Sequence, residues 1–344
     1  MATMRSLKVA TAALAALALG LLTACSSASN TTSTSDVAQS TTANVTTIEH
    51  AFGTTEIPAK VERIASVNWA NQDVPLALGV MPVGFAAQTW GVEDDSQMLA
   101  WTKAKVEELG GTPVLFDETD GIDFEAVAAT QPDVILAAYS GLTKEDYDKL
   151  SAIAPTVAYP SVAWGTPWRE YITMNATAIG KADEGTALVA QLEKQIADEV
   201  AKYDNIEGKS AAFFYGSPAD MSQIGYYTTA DPRTAFLADL GLAVPASVKT
   251  ASEADPTSFY VQVSAENADA LADVDLIVMY GDEKDLATFQ ADPLLGTIPA
   301  IKNGAVVFVG NGAFAASTNP SPLSIPWGIA DYVAKISEAA AKVQ

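Results

Sequence analysis

DFEAVAATQPDVILAAY (residues 123–139) reads as a short helix followed by a buried strand. SAENADALADVDLIVMY (residues 264–280) repeats the plan. Each places a glutamate on the helix, Glu125 or Glu266. An aspartate follows eight or nine residues later, then an apolar strand ending in tyrosine, Tyr139 or Tyr280. A chain that states one helix–strand unit twice, far apart, points to two lobes of one design.

The flanks extend the pattern. RIASV (63–67) is a strand, DVPLALG (73–79) a helix with a glycine stop, and PVGFA (82–86) a strand. KAKVEELGG and TPVLF continue the alternation, as do KEDYDKLSAIA and PTVAY. Such βαβα order implies a mostly parallel sheet with helices on both faces. The rhythm breaks over PWREYITMNATAIGK and over residues 183–203, where Leu188, Leu192, Gln195, Ile196 and Val200 keep helical spacing. It then resumes with SAAFFY, TAFLADLG, AVVFVG and a last helix over about 326–343. The expected division is an α/β lobe over 48–166, a helical connector over 167–204 and a second α/β lobe over 205–344. Tyr139 and Tyr280 would then sit at strand carboxyl ends, where open α/β sheets bind ligands.

Before residue 48 the chain is different. Arg5 and Lys8 precede an apolar run, Val9–Leu22, that is too short to span a bilayer comfortably. Residues 1–24 read as a signal peptide. Residues 25–47 read as a Ser/Thr-rich disordered tether without aromatics. Cys25, the single cysteine, ends LTAC. That stretch resembles the lipobox of bacterial lipoproteins, which implies a lipid on Cys25, a cell-membrane anchor and an extracytoplasmic protein.

The net charge is −23, and removing residues 1–24 takes away two basic groups and no acid, giving −25. That argues against nucleic acid and against electrostatic docking on anionic lipid. No G-x-S-x-G elbow or phosphate-binding glycine loop occurs. The sole histidine, His50, is expected to be exposed at the tether's edge. Ser–His and Cys–His chemistry therefore find no support, and no enzyme is expected. A zinc-type site lacks ligands as well.

GTTEIPAKVERIASV, LALGVMPVG, QPDVILA, LSAIAPTV, LADLGL, VSAENADALADVDLIV and PAIKNGAVVFV, in that order, resemble the iron–siderophore, haem and cobalamin group of ABC-transporter substrate-binding proteins. The resemblance implies two Rossmann-like α/β lobes joined by one long rigid helix, with the ligand cleft between them. It implies delivery of the ligand to a membrane permease, with Glu125 and Glu266 docking on permease arginines. It implies no cofactor; the ligand would be an iron(III)–siderophore complex. Haem or cobalamin binding on the same fold is the alternative, with a surface sensor or adhesin behind it.

Arginine is scarce after the signal: Arg63, Arg169 and Arg233. Receptors for anionic tris-catecholates resemble one another in clustering arginines, so a near-neutral ferric hydroxamate is the better expectation. Arg233 is the ligand candidate, Arg63 a structural residue and Arg169 a surface one. Aromatics expected at loops complete the candidate site: Trp69, Trp90, Tyr139, Trp164, Tyr215, Tyr226, Tyr227, Tyr280 and Phe314. Trp101, Trp168 and Trp327 fall within helical patterns and are expected in the core.

Overall fold

The computed structural model describes residues 46–344. Cys25, the signal segment and all but the last two residues of the expected tether lie outside the described residues. The described chain opens with an antiparallel hairpin of β1 (Thr46–His50) and β2 (Gly53–Ile57). The hairpin thus takes in Thr46 and Thr47, which composition had assigned to the tether.

The first lobe is a parallel sheet in the order β5-β4-β3-β6-β7. Its strands are β3 (Ile64–Ser66), β4 (Gly84–Ala86), β5 (Val114–Phe116), β6 (Val134–Leu136) and β7 (Thr156–Val157). Between them run α1 (Asp73–Ala77), α2 (Ala100–Leu109), α3 (Phe124–Ala129) and α4 (Lys144–Ser151). Strand β6 is buried along its whole length, as a central parallel strand must be. Helix α3 starts where the Asp123 carboxylate accepts the Ala126 N–H at 2.9 Å.

Residues 167–204 hold two packed helices, α5 (Trp168–Ala178) and α6 (Ala182–Val200). At 19 residues, α6 spans about 28 Å. It packs on α12, while α5 packs on β6, β7 and α1.

The second lobe has β8 (Ala211–Ser217), β9 (Asp220–Tyr227), β10 (Tyr260–Ser264), β11 (Leu276–Met279) and β12 (Val306–Phe308). Its helices are α7 (Pro232–Asp239), α8 (Ala246–Ala254), α9 (Leu286–Ala291), α10 (Pro299–Asn303), α11 (Ala313–Ser317) and α12 (Ser324–Ala340). The order β10-β9-β8-β11-β12 matches the first lobe strand for strand. The hands do not: β9 returns from β8 antiparallel, and β10 pairs antiparallel with β9. A tight turn at residues 218–219 replaces the crossover helix.

The repeated aspartate has a shared task. Asp133 accepts the Glu62 and Arg63 N–H groups, both at 2.8 Å, and so ties β6 to the start of β3. Asp275 accepts the Ser210 N–H at 2.8 Å and ties β11 to the start of β8. One apolar core runs from β3 and β6 through α5 and α6 to β8, β11 and α12. Among the described residues no helix is long and apolar enough to cross a membrane.

Three expectations fail here. His50 is buried: its ring accepts the Phe52 N–H at Nδ1 (3.2 Å) and meets the Thr55 hydroxyl at Nε2 (2.8 Å). Trp327 is 44% exposed on α12, whereas Trp101 and Trp168 are core. Its ring covers Trp101 at 5.3 Å, so α12 buries Trp101 beneath it. Tyr226 is no loop residue; it lies in β9 and is buried. Its ring packs on Phe214 and faces the core on the far side of the sheet, because neighbouring strand residues point to opposite faces.

Candidate functional site: an aromatic cleft between the lobes

A strand order of 3-2-1-4-5 reverses direction between its first and fourth strands, and a crevice opens at their carboxyl ends. In the first lobe those strands are β3 and β6. Trp69 follows β3, Trp90 follows β4, Tyr139 follows β6 and Trp164 follows β7. All four line one cavity of about 310 Å³. The second lobe closes it with Arg233 at the start of α7, Tyr280 after β11, Phe259 before β10 and Asn319 after α11.

The walls are braced. Asn71 donates to the Tyr139 carbonyl at 2.8 Å and accepts the Tyr139 N–H at 3.0 Å. Asn319 donates to the Tyr139 hydroxyl at 3.0 Å, across the lobes. Trp164 crosses Tyr139 edge-on at 5.5 Å. Trp90 reaches Tyr280 at 5.7 Å, so the first lobe touches the second at the cavity's rim. Burial raises the phenol pKa of Tyr139, Tyr227 and Tyr280, keeping them neutral.

Of the three arginines among the described residues, Arg233 alone reaches this cavity. Arg63 instead caps the Thr130 and Gln131 carbonyls, and half-exposed Arg169 pairs with Glu193 and Asp239. Asp231 caps α7 through the Arg233 N–H (2.9 Å). The same buried carboxylate takes Nε at 2.8 Å and Nη2 at 2.6 Å. Nη1 donates to the Tyr280 hydroxyl at 2.7 Å, and the guanidinium lies 3.6 Å from the Tyr227 ring centre. Burial works against the charge, but the Asp231 pair outweighs it and raises the guanidinium pKa further. Three of its five N–H bonds are thereby used, leaving two for a ligand. The site carries a cation whose charge is already balanced.

The cavity gathers six of the ten residues expected from sequence. Of the other four, Tyr227 lies beneath Arg233 and Tyr215 packs on Tyr227 at 5.3 Å, both in strands. Tyr226 faces away. Phe314 sits in α11, not a loop, and packs on Tyr332, away from the cavity. Sequence reasoning missed Phe259 and Asn319. Phe259 in TSFY had the signal of an aromatic opening a strand; Asn319 had none.

The sequence profile of the family described as "Periplasmic binding protein" matches residues 64–312. The chain belongs to the periplasmic binding protein family. A probable siderophore-binding lipoprotein of Bacillus subtilis, YfiY, is 31% identical over 281 residues, 80% of this chain and 78% of that one. The ferric enterobactin-binding periplasmic protein FepB of Escherichia coli is 27% identical over 78% of this chain and 84% of its own. The crystal structure of PiaA from Streptococcus pneumoniae in complex with ferrichrome superposes with a TM-score of 0.84 at 45% identity. It covers 87% of this chain and 99% of PiaA. As members of this family do, the protein folds as two lobes about a ligand cleft.

Proposed function

We propose that this protein is the substrate-binding component of an iron–siderophore ABC importer, capturing a near-neutral ferric hydroxamate and handing it to a membrane permease. The observation that carries the ligand class is the Arg233–Asp231 pair. A tris-catecholate chelate carries several negative charges and would need uncompensated cations in the cleft. A ferric trihydroxamate is neutral. It needs an apolar wall, hydrogen-bond donors for its oxygens and little net field. Three tryptophans and two tyrosines supply the wall, and Arg233 supplies donors without net charge. PiaA in complex with ferrichrome supports the hydroxamate reading, and the probable siderophore-binding lipoprotein YfiY supports siderophore capture by a lipoprotein.

Glu125 and Glu266 are the docking residues in this account. Both are exposed, in the first turn of α3 and of the 3-10 segment Ala265–Leu271. Carboxylates there favour the helix dipole and can meet arginines of a permease. Cys25, lipid-modified, would hold the receptor outside the cell membrane beside that permease. The protein acts by binding and release, not catalysis.

The test is calorimetric titration of ferrioxamine into the wild type and into the double variant Asp231→Asn/Arg233→Gln. Removing both partners avoids stranding a buried carboxylate, which in Arg233→Ala alone would cost about 3–5 kcal/mol of stability. The double variant should fold and bind about ten- to a hundredfold more weakly, the worth of hydrogen bonds from a charged donor. Unchanged affinity would remove Arg233 from the site.

A further inference from the structure

The aromatic lining continues past the cavity. On the cleft side of the second sheet the rings of Tyr280, Phe213, Tyr227, Tyr215 and Tyr260 form a ladder. Successive ring centres are 5.0, 5.8, 5.3 and 6.2 Å apart. The inner end is at the cavity, where Arg233 stacks on Tyr227. The outer end is Tyr260, 48% exposed on the edge strand β10. Phe259 lines the cavity and its ring is 5.1 Å from that of Tyr260, so cavity wall and ladder are continuous. Tyr215 lies flat across β9 at Gly225; a Cβ there would fall 2.0 Å from the Tyr215 Cζ. The strand thus leaves room for a ring lying parallel to it, a seat that a side chain at that position would fill.

We propose that Tyr215 and Tyr260 form an outer subsite that stacks a flat organic group at the rim of the chelate, while the cavity holds its iron–hydroxamate centre. This rests on the hydroxamate reading. The cavity's 310 Å³ is at the bottom of the range of about 300–1,000 Å³ for sites that bury a drug-sized ligand. Three chelating arms around iron fill such a space, and the frame that joins them must lie outside it. From Arg233 the partly exposed rings of Tyr227, Tyr215 and Tyr260 lead outward, with fully buried Phe213 behind them. Phenol faces accept aryl planes by offset stacking, with the hydroxyls left in water. Selectivity among hydroxamates would then be set outside the cavity, at Tyr260.

A matched pair of ligands tests this: ferrioxamine B acylated on its free amine with an acetyl or with a naphthoyl group. Both keep the same iron centre. Wild type should bind the naphthoyl form about three- to tenfold more tightly. Tyr260→Ala should abolish that preference and leave the acetyl affinity unchanged. Tyr260→Phe, which keeps the ring, should retain it. Equal affinities in the wild type, a preference that survives in Tyr260→Ala, or an equal loss for both ligands would overturn the subsite and leave the cavity reading standing. No binding of either ligand by the wild type would overturn the hydroxamate reading, and the subsite with it.

Discussion

Trp164 holds a backbone conformation that bulky residues rarely adopt, with φ at 60°. The strain is local and sits on the cavity wall, as strain at functional sites commonly does. Its N–H donates to the Ser140 carbonyl at 2.9 Å, and its indole lies over Gly141. A Cβ at position 141 would stand 2.1 Å from the indole nitrogen. Gly141→Ala should therefore push Trp164 off the wall at a cost of about 1–3 kcal/mol. The expected result is ligand affinity lowered by about five- to a hundredfold, with far-ultraviolet circular dichroism unchanged. Unaltered affinity would show that Trp164 is not a wall residue. His50 supports a prediction about pH. Its Nδ1 accepts an N–H, so the ring's proton is on Nε2 and is given to Thr55. Burial lowers its pKa, so the unfolded chain binds the proton more readily than the folded one. The stabilisation from neutral His50 is full above pH 6.5 and is lost as pH falls below it. Amide exchange in β1 and β2 should accelerate relative to the rest of the sheet as pH drops from 7 to 5, after correction for intrinsic rates. No such acceleration would mean that His50 does not hold the hairpin.

Elements are joined by a buried carboxylate that has no counter-cation among the described residues. Asp73, in α1, accepts from Trp101 Nε1 at 2.9 Å and Thr102 Oγ1 at 2.9 Å, both in α2. It also accepts from Ser321, just before α12, and so pins the first lobe to the second. Burial pushes its pKa up to about 6 in spite of these donors. Between pH 3.8 and about 6 the folded protein keeps a proton that the unfolded chain has lost, so this group's contribution falls as pH rises. In full it amounts to about 3 kcal/mol. Urea unfolding of the wild type and Asp73→Asn at pH 4 and pH 7 isolates it. The variant should gain about 2 kcal/mol on the wild type between the two pH values, because at pH 4 the unfolded chain already releases the proton; a constant difference would place the Asp73 pKa near the ordinary value. At this scale the sequence was only partly legible. VILAAY and LIVMY announced central strands because both faces are apolar. QIGYYTT does not announce β9: its glycine and threonines read as a loop and group Tyr226 with Tyr227, although the strand sends them to opposite faces. NGAFAAS misled in the same way, since α11 is only five residues long. Trp327 carries helical spacing, but spacing does not say which face of α12 meets solvent. Asn319 acts only because Tyr139, 180 positions away, comes to it.

At the scale of the molecule, two lobes of one strand order meet at the ends of their central strands, and the connector helices share a core with both. The duplicated Glu–Asp–Tyr unit shows why the plan was readable. Its aspartates clamp the first strand of each lobe, its tyrosines reach the cavity, and its glutamates stand exposed. If the glutamates dock a permease, Glu125→Ala/Glu266→Ala should leave solution affinity for the ferric ligand unchanged while lowering iron uptake by whole cells at least about tenfold. Equal loss of both would make them ligand or folding residues instead. The charge-balanced aromatic cleft should take a neutral ferric hydroxamate. The most direct test is tryptophan emission of iron-free protein from residue 26 onward, which keeps β1 whole, titrated in parallel with ferrioxamine, a ferric tris-catecholate, haemin and cobalamin. Ferrioxamine should quench saturably at micromolar or lower concentration, and none of the others with comparable strength. Tighter binding of the catecholate, or a haemin complex with a tyrosinate band, would contradict the hydroxamate reading.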